Sequence, residues 1–478
     1  MNVRLAVVTA LLALVLPGAM RQTNATTLSG RAMSVKSGAQ RDVAAGATPL
    51  LRASVTRLSG GRIVVYQIPH ATSIGALTAP VDGNVWFTNG GPGMIGYITG
   101  AGMVKEYTPL GCGSQLLSLN STLAGGTPLD QTTYLVFHWS CYSPGDDYGF
   151  GTIQLGTGAI QLYGSQRGEP LDGKLRELDN KVYVVKPGHL FAVGGANVER
   201  LYDVLFPPIP KMKRFSYRLL EVTELDIAKS SSIWFADDGP RQRYKDTVAP
   251  LGLIPMYRLP SWGVGALATG NDNAIWVSCS KQGAPPYEGV AYKLSYDGAR
   301  QSTYPTLGCA SQRQYQYTFH TFVPGPIAGG ASIWMNNGLT ATSISRIGTA
   351  GDNSNYVLPA AAGPTLELVT GADGNIWTSH GNGTIVKFDT RYTITAEPHS
   401  LTVPIGKNVP VTIFEENGAR FTPNPVRCVK VTPVVTHPSS RERFMIQGKA
   451  TSPSPCLLEF ADREGIGTVV VPVTVTSS

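Results

Sequence analysis

The stretch DGNVW at Asp82–Trp86 recurs almost unchanged as DGNIW at Asp373–Trp377, and a third copy, NDNAIW, ends at Trp276. Weaker copies give a series of aromatic anchors at Trp86, Trp139, Tyr183, Trp234, Trp276, Trp334 and Trp377. Successive anchors are 53, 44, 51, 42, 58 and 43 residues apart, so the basic period is 42 to 44 with insertions in alternate copies. This period is typical of a four-stranded β-propeller blade.

Each copy continues in the same way after its anchor. In the first copy, a β-rich stretch at 94–99 is followed by a glycine-containing turn and a second stretch at 103–109. The alternation has period two, and Gly and Pro recur inside every candidate helix, so helices are excluded. The sequence predicts an all-β fold with a seven-bladed propeller over residues 57–396. The degenerate second and third copies leave six or eight blades open.

The segment RIVVYQIP, residues 62–69, resembles the last strand of a blade but precedes the first anchor. A propeller has to join its ends or leave an exposed sheet edge. We therefore expect this strand to pair with the C-terminal blade. The alternative is an eighth, partial blade.

The repeat stops near residue 396, and residues 397–478 contain short alternating strands at the intervals of an immunoglobulin-like β-sandwich. Six cysteines without a C-x-x-C pair favour disulfides over metal ligands. We expect Cys428–Cys456 within the sandwich, and the sequence-local pairs Cys112–Cys141 and Cys279–Cys309 elsewhere.

The composition and the N-terminus indicate an exported protein. Residues 1–25 have the pattern of a signal peptide, with Arg4 before an apolar run, and residues 26–56 are expected to form a flexible tail. The chain of 478 residues carries a net charge of only +7, without a basic arm, which argues against nucleic-acid binding. We expect a monomer without an integral membrane span, located in the periplasm, at the cell surface or outside the cell.

The repeat resembles that of the virginiamycin B lyase family. The resemblance is carried by DGNVWFT at Asp82–Thr88, IGYIT at Ile95–Thr99 and EYTPL at Glu106–Leu110, and it covers roughly residues 57–396. It implies a seven-bladed propeller. The activity that it implies is an elimination that opens a cyclic streptogramin at its ester, with a His as base and a Mg²⁺ ion as Lewis acid.

The family motif places this His, within Glu-x-His, about eleven residues before the blade Trp, and a Glu three residues after the Trp. The corresponding positions before the five clearest anchors hold Gly75, Thr223, Gly265, Val323 and Leu366, none of which is His. The acidic part of the motif is matched by Glu221 and Asp237, which flank Trp234. Two such carboxylates would suit Mg²⁺ or Ca²⁺. Among the seven histidines, His380 and His320 are the better candidates for a catalytic role.

Repeat symmetry predicts a polar ring three residues after the anchors, formed by Asn89, Asp237, Cys279, Asn337 and His380. Such a ring could line the channel mouth and bind a ligand through Asn89, Asp237, Asn337 and His380, or it could merely cap the inner strands. Two functions compete. The first is a binding protein for a small molecule, a glycan or a surface protein, and the second is a metal-dependent lyase acting on a cyclic ester or a polysaccharide.

Overall fold

The computed structural model describes a large part of the chain after residue 40. The described residues are 41–43, 46–47, 49–80, 82–89, 93–108, 115–120, 134–141, 147–167, 175–178, 181–186, 189–194, 222–227, 233–237, 247–250, 257–258, 263–272, 274–280, 289–294, 301–306, 322–326, 332–337, 342–348, 351–416, 420–434, 441–451 and 455–477. The chain divides into two units, Met1–Gly38 and Ala39–Ser478, and all described residues belong to the second.

These residues form β-strands almost throughout, which confirms the all-β prediction. In chain order the strands are β1 (Arg41–Val43), β2 (Gly46–Ala47), β3 (Leu51–Arg52), β4 (Ser54–Leu58), β5 (Ile63–Gln67), β6 (Ile74–Thr78), β7 (Val85–Asn89), β8 (Met94–Ile98), β9 (Met103–Thr108), β10 (Gln115–Asn120), β11 (Tyr134–Cys141), β12 (Asp147–Gln154), β13 (Ile160–Arg167), β14 (Leu175–Leu178), β15 (Lys181–Lys186), β16 (His189–Gly194), β17 (Val222–Ile227), β18 (Ile233–Asp237), β19 (Thr247–Pro250), β20 (Tyr257–Arg258), β21 (Gly263–Thr269), β22 (Ile275–Ser280), β23 (Gly289–Leu294), β24 (Gln301–Thr306), β25 (Phe322–Pro324), β26 (Ser332–Asn336), β27 (Ser343–Gly348), β28 (Asn353–Val357), β29 (Thr365–Thr370), β30 (Ile376–His380), β31 (Thr384–Phe388), β32 (Ile394–Glu397), β33 (Leu401–Pro404), β34 (Asn408–Glu415), β35 (Phe421–Pro423), β36 (Val429–Val434), β37 (Arg441–Gly448), β38 (Cys456–Asp462) and β39 (Gly467–Thr476).

Helical structure within the described ranges is limited to single 3-10 turns at Ser59–Gly61, Ala360–Ala362 and Thr390–Tyr392. In this part of the chain, no helix has the length and apolar character needed to cross a membrane.

Seven sheets follow one another along the chain, and their strands are taken in chain order. They are sheet 1 (β6–β9), sheet 2 (β10–β13), sheet 3 (β14–β16), sheet 4 (β17–β20), sheet 5 (β21–β24), sheet 6 (β25–β28) and sheet 7 (β29–β31). Each predicted anchor lies in the second strand of a different sheet. The first strands contact one another in the order β6, β10, β14, β17, β21, β25 and β29, and β29 contacts β6.

Sheet 7 gains its fourth strand from the N-terminal side of the chain. β5 pairs antiparallel with β31, from Ile63 opposite Phe388 to Gln67 opposite Thr384. This pairing confirms the prediction that the strand at 62–69 pairs with the last sheet of the repeat. It supplies hydrogen-bond partners for the outer edge of β31, which would otherwise be unpaired.

Part of the expected tail over 26–56 is described, from residue 41 onward, and it forms short strands, whereas residues 26–40 lie outside the described residues. Four short strands pair with the outer strands of three neighbouring sheets: β1 with β13, β2 and β3 with β9, and β4 with β5. The physical reason is that an outer strand offers a row of unsatisfied N–H and C=O groups to any extended segment. Composition alone does not reveal such a pairing.

The C-terminal strands form two further layers. One is the antiparallel sheet β32-β34-β37-β36, which we call sheet 8. The other consists of β33, β35, β38 and β39 and is continuous with sheet 6, because Gly467–Val470 of β39 pairs with β28. The disulfide Cys428–Cys456 is present as predicted and links the start of β38 to the residue before β36.

One hydrophobic core spans the C-terminal layers and sheets 6 and 7. It includes Trp334 and Tyr356 from sheet 6, Phe388 from sheet 7, and Phe444 and Val471 from the C-terminal strands. The predicted boundary between residues 396 and 397 falls inside β32. The domain bounds therefore stay a prediction.

Candidate functional site

The aspartate of the DGN turn binds the anchor that follows it. Asp82 Oδ2 accepts a hydrogen bond from Trp86 Nε1 at 2.9 Å, and Asp82 Oδ1 accepts one from the backbone N–H of Asn84 at 3.0 Å. A buried indole N–H needs such an acceptor. The same indole-to-carboxylate bond recurs in two other sheets, for Trp276 with Asp272 and for Trp377 with Asp373. The most visible motif of the sequence is therefore structural.

The anchors also stack on tyrosines. Each of four buried Trp rings stacks on a Tyr from the outer strand of the same sheet at 5.2 to 6.0 Å between ring centroids, in the pairs Trp86–Tyr107, Trp276–Tyr304, Trp334–Tyr356 and Trp377–Tyr66. The second and fourth strands are thus fixed relative to each other, and the first strand is left at the inner edge. This equivalence of four anchors was predicted from their spacing.

A β-bulge interrupts the first strand of four sheets at the same place. In each sheet the bulge directly follows the first-strand residue that pairs with the third position after the anchor. These pairs are Ile74–Asn89, Val222–Asp237, Val264–Cys279 and Thr365–His380. The positions compared above with the family His, namely Gly75, Thr223, Gly265 and Leu366, are the bulge residues. Bulges re-aim side chains and are over-represented next to active sites.

Sheet 6 has a longer turn before its anchor. Val323, eleven residues before Trp334, lies directly opposite it, whereas in sheet 7 the residue opposite Trp377 is Val369, only eight residues earlier. The comparison of Val323 with the family His is therefore corrected, because a fixed spacing ignores this three-residue insertion. Counting three residues back from Val323 gives His320, which lies outside the described residues. A search that allowed turns of variable length would have compared His320, in place of Val323, with the family His.

Two members of the predicted polar ring bind within their own sheets. Asn89 is fully buried, and its Nδ2 donates to Glu106 Oε1 at 3.0 Å across β8. Asn337 Nδ2 likewise donates to a residue on the fourth strand of its own sheet, Asn355, whose Oδ1 lies 2.6 Å away. Burial raises the pKa of Glu106, while the Asn89 hydrogen bond and the charge of His70 lower it by less. These hydrogen bonds within each sheet are typical of side chains that cap the inner strands and less typical of side chains that bind a ligand.

His380 is fully buried and has partners for both ring nitrogens. Its Nδ1 lies 3.0 Å from the carbonyl oxygen of Gly363, and its Nε2 lies 2.8 Å from Thr378 Oγ1. Since a carbonyl can only accept, Nδ1 carries the proton and Nε2 accepts from the hydroxyl. Burial lowers the pKa of His380 to about 4 despite hydrogen bonds to the Gly363 and Pro364 backbone. The ring is neutral near pH 7 and is enclosed.

Side chains satisfy the backbone at the bulge of β6. Glu367 Oε2, on the first strand of sheet 7, accepts from the backbone N–H of Leu77 at 2.6 Å, and Ser379 Oγ donates to the carbonyl of Gly75 at 2.7 Å. Thr88 Oγ1 accepts from the N–H of Ala76 at 2.9 Å. The bulge is therefore held rigidly where sheets 7 and 1 meet. Sequence analysis missed Glu367, because no neighbouring sequence pattern marks it as a hydrogen-bond acceptor for another sheet.

The proposed metal ligands are only partly located. Asp237 ends β18 and lies opposite Val222, whereas Glu221 lies outside the described residues. Cys279 and Cys141 lie on β22 and β11, and their expected partners Cys309 and Cys112 also lie outside that set. Among the described residues, no group of three His, Cys, Asp or Glu side chains could hold a metal ion. The metal site and the two further disulfides stay predictions.

Comparison with known proteins gives structural likeness only. No family model matches the chain, and no curated protein matches it. Similar solved structures include a streptogramin B lyase, at 15% identity and a TM-score of 0.47, covering 68% of this chain and 96% of that one. A virginiamycin B lyase from Staphylococcus aureus, with quinupristin, has 14% identity and a TM-score of 0.48, covering 68% and 98%.

The WD40 β-propeller domain of Doa1 is also similar, at 11% identity and a TM-score of 0.44, covering 72% of this chain and 97% of that one. Identities this low concern the fold alone, and all three TM-scores are below 0.5. The architecture of the chain therefore rests on its own strand pairings.

Proposed function

We propose that sheets 1–7 are the blades of a seven-bladed β-propeller over about residues 57–396, followed by an immunoglobulin-like sandwich over about residues 397–478. The cyclic order of contacts among the seven first strands supports the ring. The strand β5, which comes from the N-terminal side and completes sheet 7, supports its closure. Two packed layers linked by Cys428–Cys456 support the sandwich.

The function that this geometry supports best is ligand or partner binding at the end of the ring where the bulges gather. The observation that carries the proposal is the recurrence of the bulge at one place in four first strands. At that end the innermost strands present their bulge residues, of which Gly75 and Leu366 are partly exposed. Ligand sites commonly form at such concave positions on a rigid scaffold.

Binding is favoured over catalysis by the identity of these residues. The bulge positions hold Gly, Thr and Leu, none of which can abstract a proton at neutral pH. His380 is fully buried, and Gly363 and Thr378 occupy both of its ring nitrogens.

A metal-dependent lyase is the second candidate, because His320 stands three residues before Val323 in the sequence, as Leu366 stands three before Val369, although His320 itself lies outside the described residues. Glu221 and Asp237 would then hold Mg²⁺ or Ca²⁺ as Lewis acid.

Quinupristin, the compound named with the S. aureus lyase, separates the two candidates. We expect isothermal calorimetry to detect binding, and chromatography to recover the compound intact in the presence of Mg²⁺. Leu366→Glu should abolish binding, while Leu457→Glu, at an exposed position on β38, should leave it unchanged. Consumption of the compound that is lost in Glu221→Gln/Asp237→Asn would establish the lyase instead. Absence of both binding and consumption would reject this ligand class for either function.

We propose that the chain is exported and acts in the periplasm, at the cell surface or outside the cell, as a monomer. The Cys428–Cys456 disulfide supports an oxidising compartment. N-terminal sequencing of the secreted protein should show cleavage after Ala19 or Ala25, and light scattering should give the monomer mass.

A further inference from the structure

A buried charged cluster joins the closing strand to the C-terminal layers. Arg62, immediately before β5, donates from one guanidinium nitrogen to Glu415 Oε1 at 2.8 Å and from the other to Asp462 Oδ2. The side chains of Arg62, Glu415 and Asp462 are 5%, 1% and 1% exposed. The guanidinium also lies over the ring of Tyr392, 4.8 Å from its centroid. One cation thus faces two carboxylates away from water.

The two carboxylates are not equally stabilised. Asp462 accepts, besides Arg62, the backbone N–H groups of Ile466 at 3.0 Å and Gly467 at 2.9 Å. Glu415 has only the bond through Oε1, and its Oε2 is buried with no hydrogen-bond partner among the described residues. Burying an ionised carboxylate with one oxygen unpartnered is costly, and a proton removes the charge that accounts for most of that cost. The proton therefore belongs on Glu415.

We propose that this cluster is a proton-sensitive joint: a proton on Glu415 keeps it neutral, and loss of that proton leaves an unbalanced buried negative charge that weakens the attachment of the C-terminal strands to sheets 6 and 7. Breaking the charge balance of a buried ion pair is strongly destabilising. The joint lies in the same contact region as the β28–β39 pairing and the shared core, so a change in its charge affects the stability of both.

The electrostatic surroundings support the direction of this effect. Burial raises the pKa of Glu415 to about 7; Arg62 opposes the rise, and Asp462 and Glu464 add to it. The charge of Glu415 in turn contributes to raising the pKa of Tyr356, on β28, behind the larger effect of burial. Since the pKa in the folded chain is above that of an unfolded chain, stability is fully present at acidic pH and is lost as pH rises through about 7.

Hydrogen exchange tests the proposal on the full chain. Corrected for the intrinsic exchange rate, protection of the β28 amides that face β39 should fall about tenfold between about pH 6 and pH 8 in the wild type, as expected for loss of one proton. Glu415→Gln should show the same protection at both pH values. Glu416→Gln, a matched change at the exposed neighbouring residue, should keep the wild-type fall.

A second measurement does not depend on any variant folding. In the carboxyl-labelled wild type, the ¹³C resonance of Glu415 should titrate near neutral pH. Titration in the usual range of a solvated glutamate, or equal pH dependence of exchange in the wild type and Glu415→Gln, would overturn the proposal.

Discussion

The imidazole of His380 has a carbonyl and a hydroxyl as its partners and no solvent contact, so acid should destabilise the fold through this residue. Because burial lowers the pKa of His380 to about 4, its contribution to stability is present above the ordinary pKa of His and is lost as pH falls toward 4. We expect the free energy of unfolding to decrease by about 2–3 kcal/mol over this range. Denaturant titrations should show a smaller decrease in His380→Gln, whereas the exposed His70→Gln should behave like the wild type.

Asp373 should matter through the indole bond more than through its ion pair. Its carboxylate accepts from Trp377 Nε1 at 3.1 Å, while Lys387 Nζ lies 3.5 Å away and is partly exposed. We expect Asp373→Ala to lower the free energy of unfolding by about 1–2 kcal/mol, because a buried N–H is left without an acceptor. Lys387→Met should change it by less than about 1 kcal/mol. Equal losses in both variants would show that the ion pair dominates.

Among strands, β8 contains a glycine, Gly96, against which a side chain and a backbone carbonyl pack closely. A Cβ atom at Gly96 would lie 2.7 Å from Phe87 Cζ and 2.9 Å from the carbonyl oxygen of Lys105. We expect Gly96→Ala to destabilise the chain by about 1–3 kcal/mol in thermal or denaturant unfolding. Gly100→Ala is the matched control, since nothing lies within 4 Å of its added carbon. Unchanged stability of Gly96→Ala would contradict this packing.

The strands were predictable to the extent that their signals are local. The Trp anchors recur at a regular period, the strand at 62–69 is one contiguous run, and Cys428 and Cys456 are 28 residues apart. The structure confirms the pairing of that strand and the disulfide. Bulges, by contrast, are set by the pairing register, so a fixed count misplaced Val323. Glu415 and Asp462 meet an arginine 353 and 400 residues away, and no local pattern announces such contacts.

Considered as a whole, the molecule should not tolerate removal of its C-terminal layers. A chain ending at residue 396 would lose β39 from the edge of β28. It would also uncover Tyr356, which is fully buried and whose hydroxyl oxygen accepts a hydrogen bond from the backbone N–H of Ile394 at 2.8 Å. We expect hydrogen exchange in β27 and β28 to accelerate at least about tenfold in this truncated chain, because core burial there is lost. Amides of β22, in sheet 5, serve as the internal reference. Unchanged protection in β28 would show that sheet 6 folds without the C-terminal layers.

The double pairing of β39 has a mechanical consequence. Its first half is bonded to β28, its second half to β33, and β38 runs along its length. Tension applied at Thr476 would act along the strand axis. The hydrogen bonds of β39 would then be loaded in shear, all at the same time, and would not break one after another. A load on that end would therefore pass directly from β39 into β28 and the rest of sheet 6.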